Sequence, residues 1–216
     1  MKDRTLSHAF AFSRRALLAV GLGAALTGAG VARADTPLSA DDKALVDKAA
    51  AYLQGLGGMK GRFQQTDYRG GVSNGDLYLK RPGLARFTYD PPYGLLVISD
   101  GNTVMVSDPR LKSQTRYPLG FTPLSILLAK KIRLDRSVVV TRVDRFTDGF
   151  AITAQDAHHR RQGQITLTFG QEPIALREWK MTDAQGRITD IRLTDFAPAN
   201  DLDPNLFVIP ASSTQR

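Results

Sequence analysis

Apolar residues recur at helical spacing over 44–56: Ala44, Leu45, Ala49, Tyr52, Leu53 and Leu56, with Lys48 interrupting the stripe. Ser39 stands ahead of it as an N-cap. Asp41 and Asp42 fall in the first turn, where carboxylates suit the helix dipole, and Gly57-Gly58 ends the helix. Beyond Gly61 the period changes to that of strands, which alternate faces at every residue. The pattern predicts strands over 61–69, 73–81, 84–90, 95–100 and 103–108. Between them stand the turn signals Gly70-Gly71, Pro82-Gly83, Pro91-Pro92, Asp100-Gly101-Asn102 and Asp108-Pro109. A second helix is predicted over 124–130, with Thr122 as N-cap, Pro123 at the first helical position and Lys130-Lys131 at its C-terminus. Ile126, Leu127 and Leu128 make it very apolar for its length. Strands follow over 137–145, 149–155, 164–169, 175–183 and 187–195, and 203–207 forms a last short turn of helix. Short strands joined by short turns predict a mainly β (α+β) fold. Its sheet is an antiparallel meander bent into a barrel or a strongly curved sheet.

The first residues follow a different logic. Lys2, Arg4, Arg14 and Arg15 precede an apolar run, 16–31, that ends at Ala32-Arg33-Ala34. A charged segment, an apolar segment and an A-x-A site make a signal peptide cleaved before Asp35. The run 13–18, Ser-Arg-Arg-Ala-Leu-Leu, fits a twin-arginine signal as well as the general secretory one, and both routes stay open. The expected organisation is a signal over 1–34 and one domain over 35–216. Removing the five basic residues and one acidic residue of 1–34 lowers the net charge from +8 to +4. The mature chain is then only mildly basic, which suits anionic lipid head groups or acidic partners, and export argues against nucleic acid. The sequence contains no cysteine, so neither a disulfide framework nor a lipid-modified cysteine is available, and an apolar core must hold the fold.

Several segments in order resemble the outer-membrane lipoprotein carrier (LolA) family. They are 59–65 (Met-Lys-Gly-Arg-Phe-Gln-Gln), 75–82 (Gly-Asp-Leu-Tyr-Leu-Lys-Arg-Pro), 86–92 (Arg-Phe-Thr-Tyr-Asp-Pro-Pro), Ser99-Asp100-Gly101, Asp108-Pro109 and Thr122-Pro123-Leu124. No single piece is specific; their order and spacing are. The resemblance implies an unclosed antiparallel barrel whose open side is covered by short helices, a lid over an apolar cavity. It implies a periplasmic protein that is not an enzyme and needs no cofactor or metal. Such a protein takes lipoproteins from an inner-membrane lipoprotein-releasing transporter and passes them to an outer-membrane acceptor, or to the outer membrane directly, as a monomer. An acceptor or sensing role on the same fold, or a lipid-acting serine hydrolase, is the alternative.

Strand parity and the resemblance together select residues. Leu77, Leu79 and Arg81 share a face, as do Phe87 and Tyr89. With Phe63, and with Leu124, Ile126 and Leu127 of the second helix, they are the expected lining of an acyl cavity. The match of Lys80-Arg81-Pro82 to the family's Arg-Pro motif implies that Arg81 bonds to the lid and holds the empty cavity closed. Ala85 stands where some members carry a large aromatic residue. Trp179 alternates imperfectly with Leu176 and Met181 and reads as wall or core. The turn 91–96 is apolar enough to touch a membrane or to fold back onto the body. Two motifs carry no chemistry. Residues 71–75 fit G-x-S-x-G around Ser73, but a nucleophile elbow needs a helix next and a strand follows. His158-His159-Arg160-Arg161 reads as a solvated hairpin loop, since two arginines repel a cation and adjacent strand residues point apart.

Overall fold

A computed structural model describes residues 37–130 and 138–211; the signal segment expected over 1–34 lies outside them. Helix α1 (Ala40–Gly55) begins where the sequence places it, with the Asp42 amide donating to Ser39 Oγ at 3.1 Å. It ends at Gly55 rather than at Gly57-Gly58, because Gly58 already opens the first strand. Six strands follow in sequence: β1 (Gly58–Thr66), β2 (Val72–Lys80), β3 (Leu84–Tyr89), β4 (Leu96–Asp100), β5 (Thr103–Asp108) and β6 (Ser113–Pro118). A 3-10 turn (Leu119–Phe121) leads into α2 (Leu124–Leu128). Then come β7 (Val138–Phe146), β8 (Gly149–Asp156), β9 (Gly163–Gln171), β10 (Ile174–Asp183) and β11 (Ile188–Pro198), and a 3-10 turn at Pro204–Phe207.

All the described strands join one antiparallel sheet in the order β6-β5-β4-β3-β2-β1-β11-β10-β9-β8-β7. The first and last strands meet at its centre, where Phe63 opposes Leu193 on one side and Gly75 on the other. Among the described residues β6 and β7 are free edges, so the sheet does not close. Alternation sends one set of side chains inward: Leu77, Leu79, Ala85, Phe87 and Tyr89 from one limb, and Phe150, Ile152, Ile165, Leu167 and Phe169 from the other, all in a single buried cluster. The outer face carries the charges. Arg62 Nη1 reaches Asp76 at 2.9 Å and Asp90 at 3.1 Å, and Lys180 reaches Asp190 at 2.8 Å. Over β2–β6 that outer face is partly covered by the C-terminal segment, in which Leu202 and Phe207 pack against Tyr78 and Leu84, and Arg86 Nη1 donates to the Leu206 carbonyl at 3.1 Å.

Several local expectations change. β6 has no counterpart in the sequence reading, because Ser-Gln-Thr-Arg-Tyr-Pro is an exposed edge with no apolar face to alternate. Asn74 and Gly75, turn-forming residue types, lie inside β2. Glycine is needed there because a Cβ would stand 2.3 Å from the Thr88 carbonyl oxygen and 2.7 Å from Phe63 Cε1. Thr122 does not cap α2; its hydroxyl donates to the Leu119 carbonyl at 2.8 Å, and Pro123 takes the cap position. α2 stops at Leu128, which leaves Lys130 outside it. The turn after β3 folds onto the body, with Leu95 buried and Tyr93 packed against the core.

Candidate functional site

The concave face of the sheet, with α1 and α2 across it, is the candidate site. The eight side chains expected to line it (Phe63, Leu77, Leu79, Phe87, Tyr89, Leu124, Ile126 and Leu127) are all brought into the one buried cluster, none more than 5% exposed. Their rings meet edge to face: Phe63 lies 5.5 Å from Phe87 and 4.9 Å from Tyr89, centroid to centroid. The Tyr89 hydroxyl is satisfied inside by donating to Gln65 Oε1 at 2.7 Å, and burial pushes the phenol's pKa well above its ordinary value. These side chains pack against one another across the concave face.

The other limb contributes as much. Trp179 is fully buried, and its ring meets Phe87 edge to face at 6.2 Å. Because β3 and β10 are separated by three strands of the sheet, that contact runs across the concave interior. Phe150 and Phe169 stack at 5.3 Å, and Tyr52 of α1 meets Phe169 edge to face at 6.0 Å. Trp179 fits its reading as wall or core, whereas Phe150, Phe169 and Tyr52 are outside the expected lining, although the alternation Ile165-Leu167-Phe169 is legible in the sequence.

α2 is held at its C-terminal end by the turn between β2 and β3. The Gly83 amide donates to the Leu128 carbonyl at 2.9 Å, with Gly83 at φ +81°, a conformation that favours glycine. Arg81 Nη2 donates to the Ala129 carbonyl, one residue beyond the helix. The strand ends at Lys80, yet the guanidinium does not swing out to water. Its Nε and Nη1 are buried without a hydrogen-bond partner among the described residues, and desolvation lowers its pKa. Gln54 of α1 adds a bond to the Lys130 carbonyl at 3.1 Å. At the other end of this helical segment, Phe121 lies 5.4 Å from the His159 ring in the loop between β8 and β9. That loop is exposed and turns on Asp156, whose Oδ1 accepts from the His158 and His159 amides. Ser73 is buried within β2, which continues past it, so no nucleophile elbow exists there.

Comparison with known proteins adds a family. Residues 54–210 match the model of "Outer membrane lipoprotein carrier protein LolA". An outer-membrane lipoprotein carrier protein of Methylobacillus flagellatus is 28% identical, over 78% of this chain and 86% of its own length. That of Xanthomonas campestris pv. campestris is 32% identical, over 65% of this chain and 71% of its own. That of Chromohalobacter salexigens is 27% identical, over 74% and 80%.

Proposed function

The chain belongs to the LolA family of outer-membrane lipoprotein carriers, and on that premise we propose that it carries lipoproteins across the periplasm with their acyl chains between the concave sheet and its two helices. Cargo is loaded from an inner-membrane lipoprotein-releasing transporter and delivered to an outer-membrane acceptor or to the membrane itself. The protein acts by binding, as a monomer, without catalysis, cofactor or metal. Exposing a sixteen-carbon chain to water costs roughly 12 kcal/mol at ~0.8 kcal/mol per CH₂, so a carrier must offer an apolar interior of comparable worth. It must also release that chain, so the closed empty form has to compete.

Arg81 carries this reading. Its bond to Ala129 joins the sheet to the end of α2. Opening the lid for an acyl chain sacrifices a charge-assisted bond worth ~1.5 kcal/mol, taken at the low end because the residue is only half buried. The loaded form is therefore strained and release is favoured. Arg81→Leu removes the latch and extends the apolar wall. It should retain cargo about tenfold more tightly, since each 1.4 kcal/mol is one decade. Wild type and variant are loaded with the same lipoprotein and release to outer-membrane vesicles is followed. Loading should survive while transfer slows; equal release would remove Arg81 from the mechanism.

A further inference from the structure

The strand β10 contains a bulge between Leu176 and Glu178, where its register against β9 shifts by one residue. Without it, Glu178 would share the inward face with Leu176, and Trp179 would face out. With it, Leu176, Trp179 and Met181 are buried, and Glu178 instead pairs with Lys180 on the outer face. The bulge re-aims one side chain, the chain's single tryptophan, into the middle of the interior against Phe87.

A tryptophan is a costly choice for a purely apolar wall, because its indole N–H must find an acceptor when buried. Here it has none. Trp179 Nε1 is buried without a hydrogen-bond partner among the described residues, although the residue is 0% exposed. The inner Tyr89 hydroxyl, by contrast, is used, donating to Gln65 Oε1 at 2.7 Å. Among the described residues the only other buried side-chain donor nitrogens left open are Arg81 Nε and Nη1, at the lid.

We infer that Trp179 is a specificity residue whose Nε1–H donates a hydrogen bond to a carbonyl oxygen of the bound acyl group, so that the interior selects acyl esters and amides over plain hydrocarbon. The inference rests on the carrier reading above and sharpens it. In the closed empty form the donor is unpaired. A ligand carbonyl entering beside Phe87 supplies the acceptor that the described residues do not, whereas an alkane leaves it unpaired. Satisfying a buried donor of this kind is worth about a decade in affinity.

The test uses protein recovered from the periplasm and two probes of similar chain length, methyl palmitate and heptadecane, each displacing a fluorescent hydrophobic dye. Trp179→Phe keeps an aromatic ring and removes the N–H. It should bind the ester about tenfold more weakly and the alkane within twofold of wild type. Equal losses for both probes, or no loss for the ester, overturn the inference. A dye displaced from wild type by neither probe overturns the carrier reading, and this inference with it. A second readout needs no variant. The single tryptophan gives one indole N–H resonance in ¹⁵N spectra. Methyl palmitate should move its proton downfield relative to heptadecane, and the same shift with both would overturn the hydrogen bond.

Discussion

The two helices that cross the concave face are held in opposite ways. α1 has sixteen residues and a side-chain N-cap. It is fixed to the β7–β10 limb by well-satisfied contacts: the Leu176 amide donates to the Tyr52 hydroxyl at 3.1 Å, and Arg145 pairs with Asp42 at 2.7 Å. α2 has five residues and no side-chain cap, and it leans on the β2–β3 turn through backbone carbonyls at its end. Arg81, which bonds to the carbonyl just beyond it, keeps two guanidinium nitrogens unpaired among the described residues. So short a helix has little stability of its own and depends on packing. On the proposed function α1 is a wall and α2 a lid, although both bury leucines completely.

That contrast is broken most severely at those leucines. Leu53 in α1 is 2% exposed and Leu127 in α2 is 0% exposed, so burial alone predicts equal costs. Leu53→Ala should lower the unfolding free energy by about 2–5 kcal/mol. Leu127→Ala should cost less than about 2 kcal/mol, because its penalty cannot exceed the free energy of opening the lid. It should raise dye binding by the native protein instead. Urea unfolding measures both, and equal losses would make α2 as integral as α1. A smaller effect sharpens the wall. Tyr52→Phe takes the acceptor from the Leu176 amide and should cost about 1 kcal/mol in the same assay while leaving cargo release unchanged.

The smallest effect lies on the outer face, away from both helices. The Arg62 hydrogen bond holds the Asp90 carboxyl below its ordinary range. A folded-state value below the unfolded one means that its contribution is complete above the usual carboxylate range of about pH 4. That contribution is lost as pH falls through the lower folded value. Wild type should therefore lose thermal stability more steeply than Asp90→Asn on acidification, by a modest margin because the pair is solvent-exposed. Parallel melting curves of the two proteins would refute the pairing.

Much of this architecture was legible because the sheet is one-sided. Alternation identified Leu77, Leu79, Phe87 and Tyr89 as inward, and all four are buried. The features that escaped are those that alternation does not encode. β6 is a polar edge strand without a buried face. The bulge beside Leu176 is what lets Trp179, which the sequence reads as wall or core, share the inner face with Leu176 against strict alternation. At Arg81 the strand ends where a parity argument stops applying, and the guanidinium stays in through its bond to Ala129, forty-eight residues away. The Arg62 network depends on cross-strand register, which puts Asp76 directly opposite.

The central claim is that acyl chains enter the space in which Trp179 now packs. Trp179 is the sole tryptophan and is fully buried, so its fluorescence reports that space alone. Palmitate brominated midway along its chain should quench it saturably, with unbrominated palmitate competing, and Leu127→Ala should shift the titration to lower ligand concentration. Fluorescence that brominated palmitate leaves untouched in the folded protein would show that no acyl chain reaches the interior, and would contradict the account.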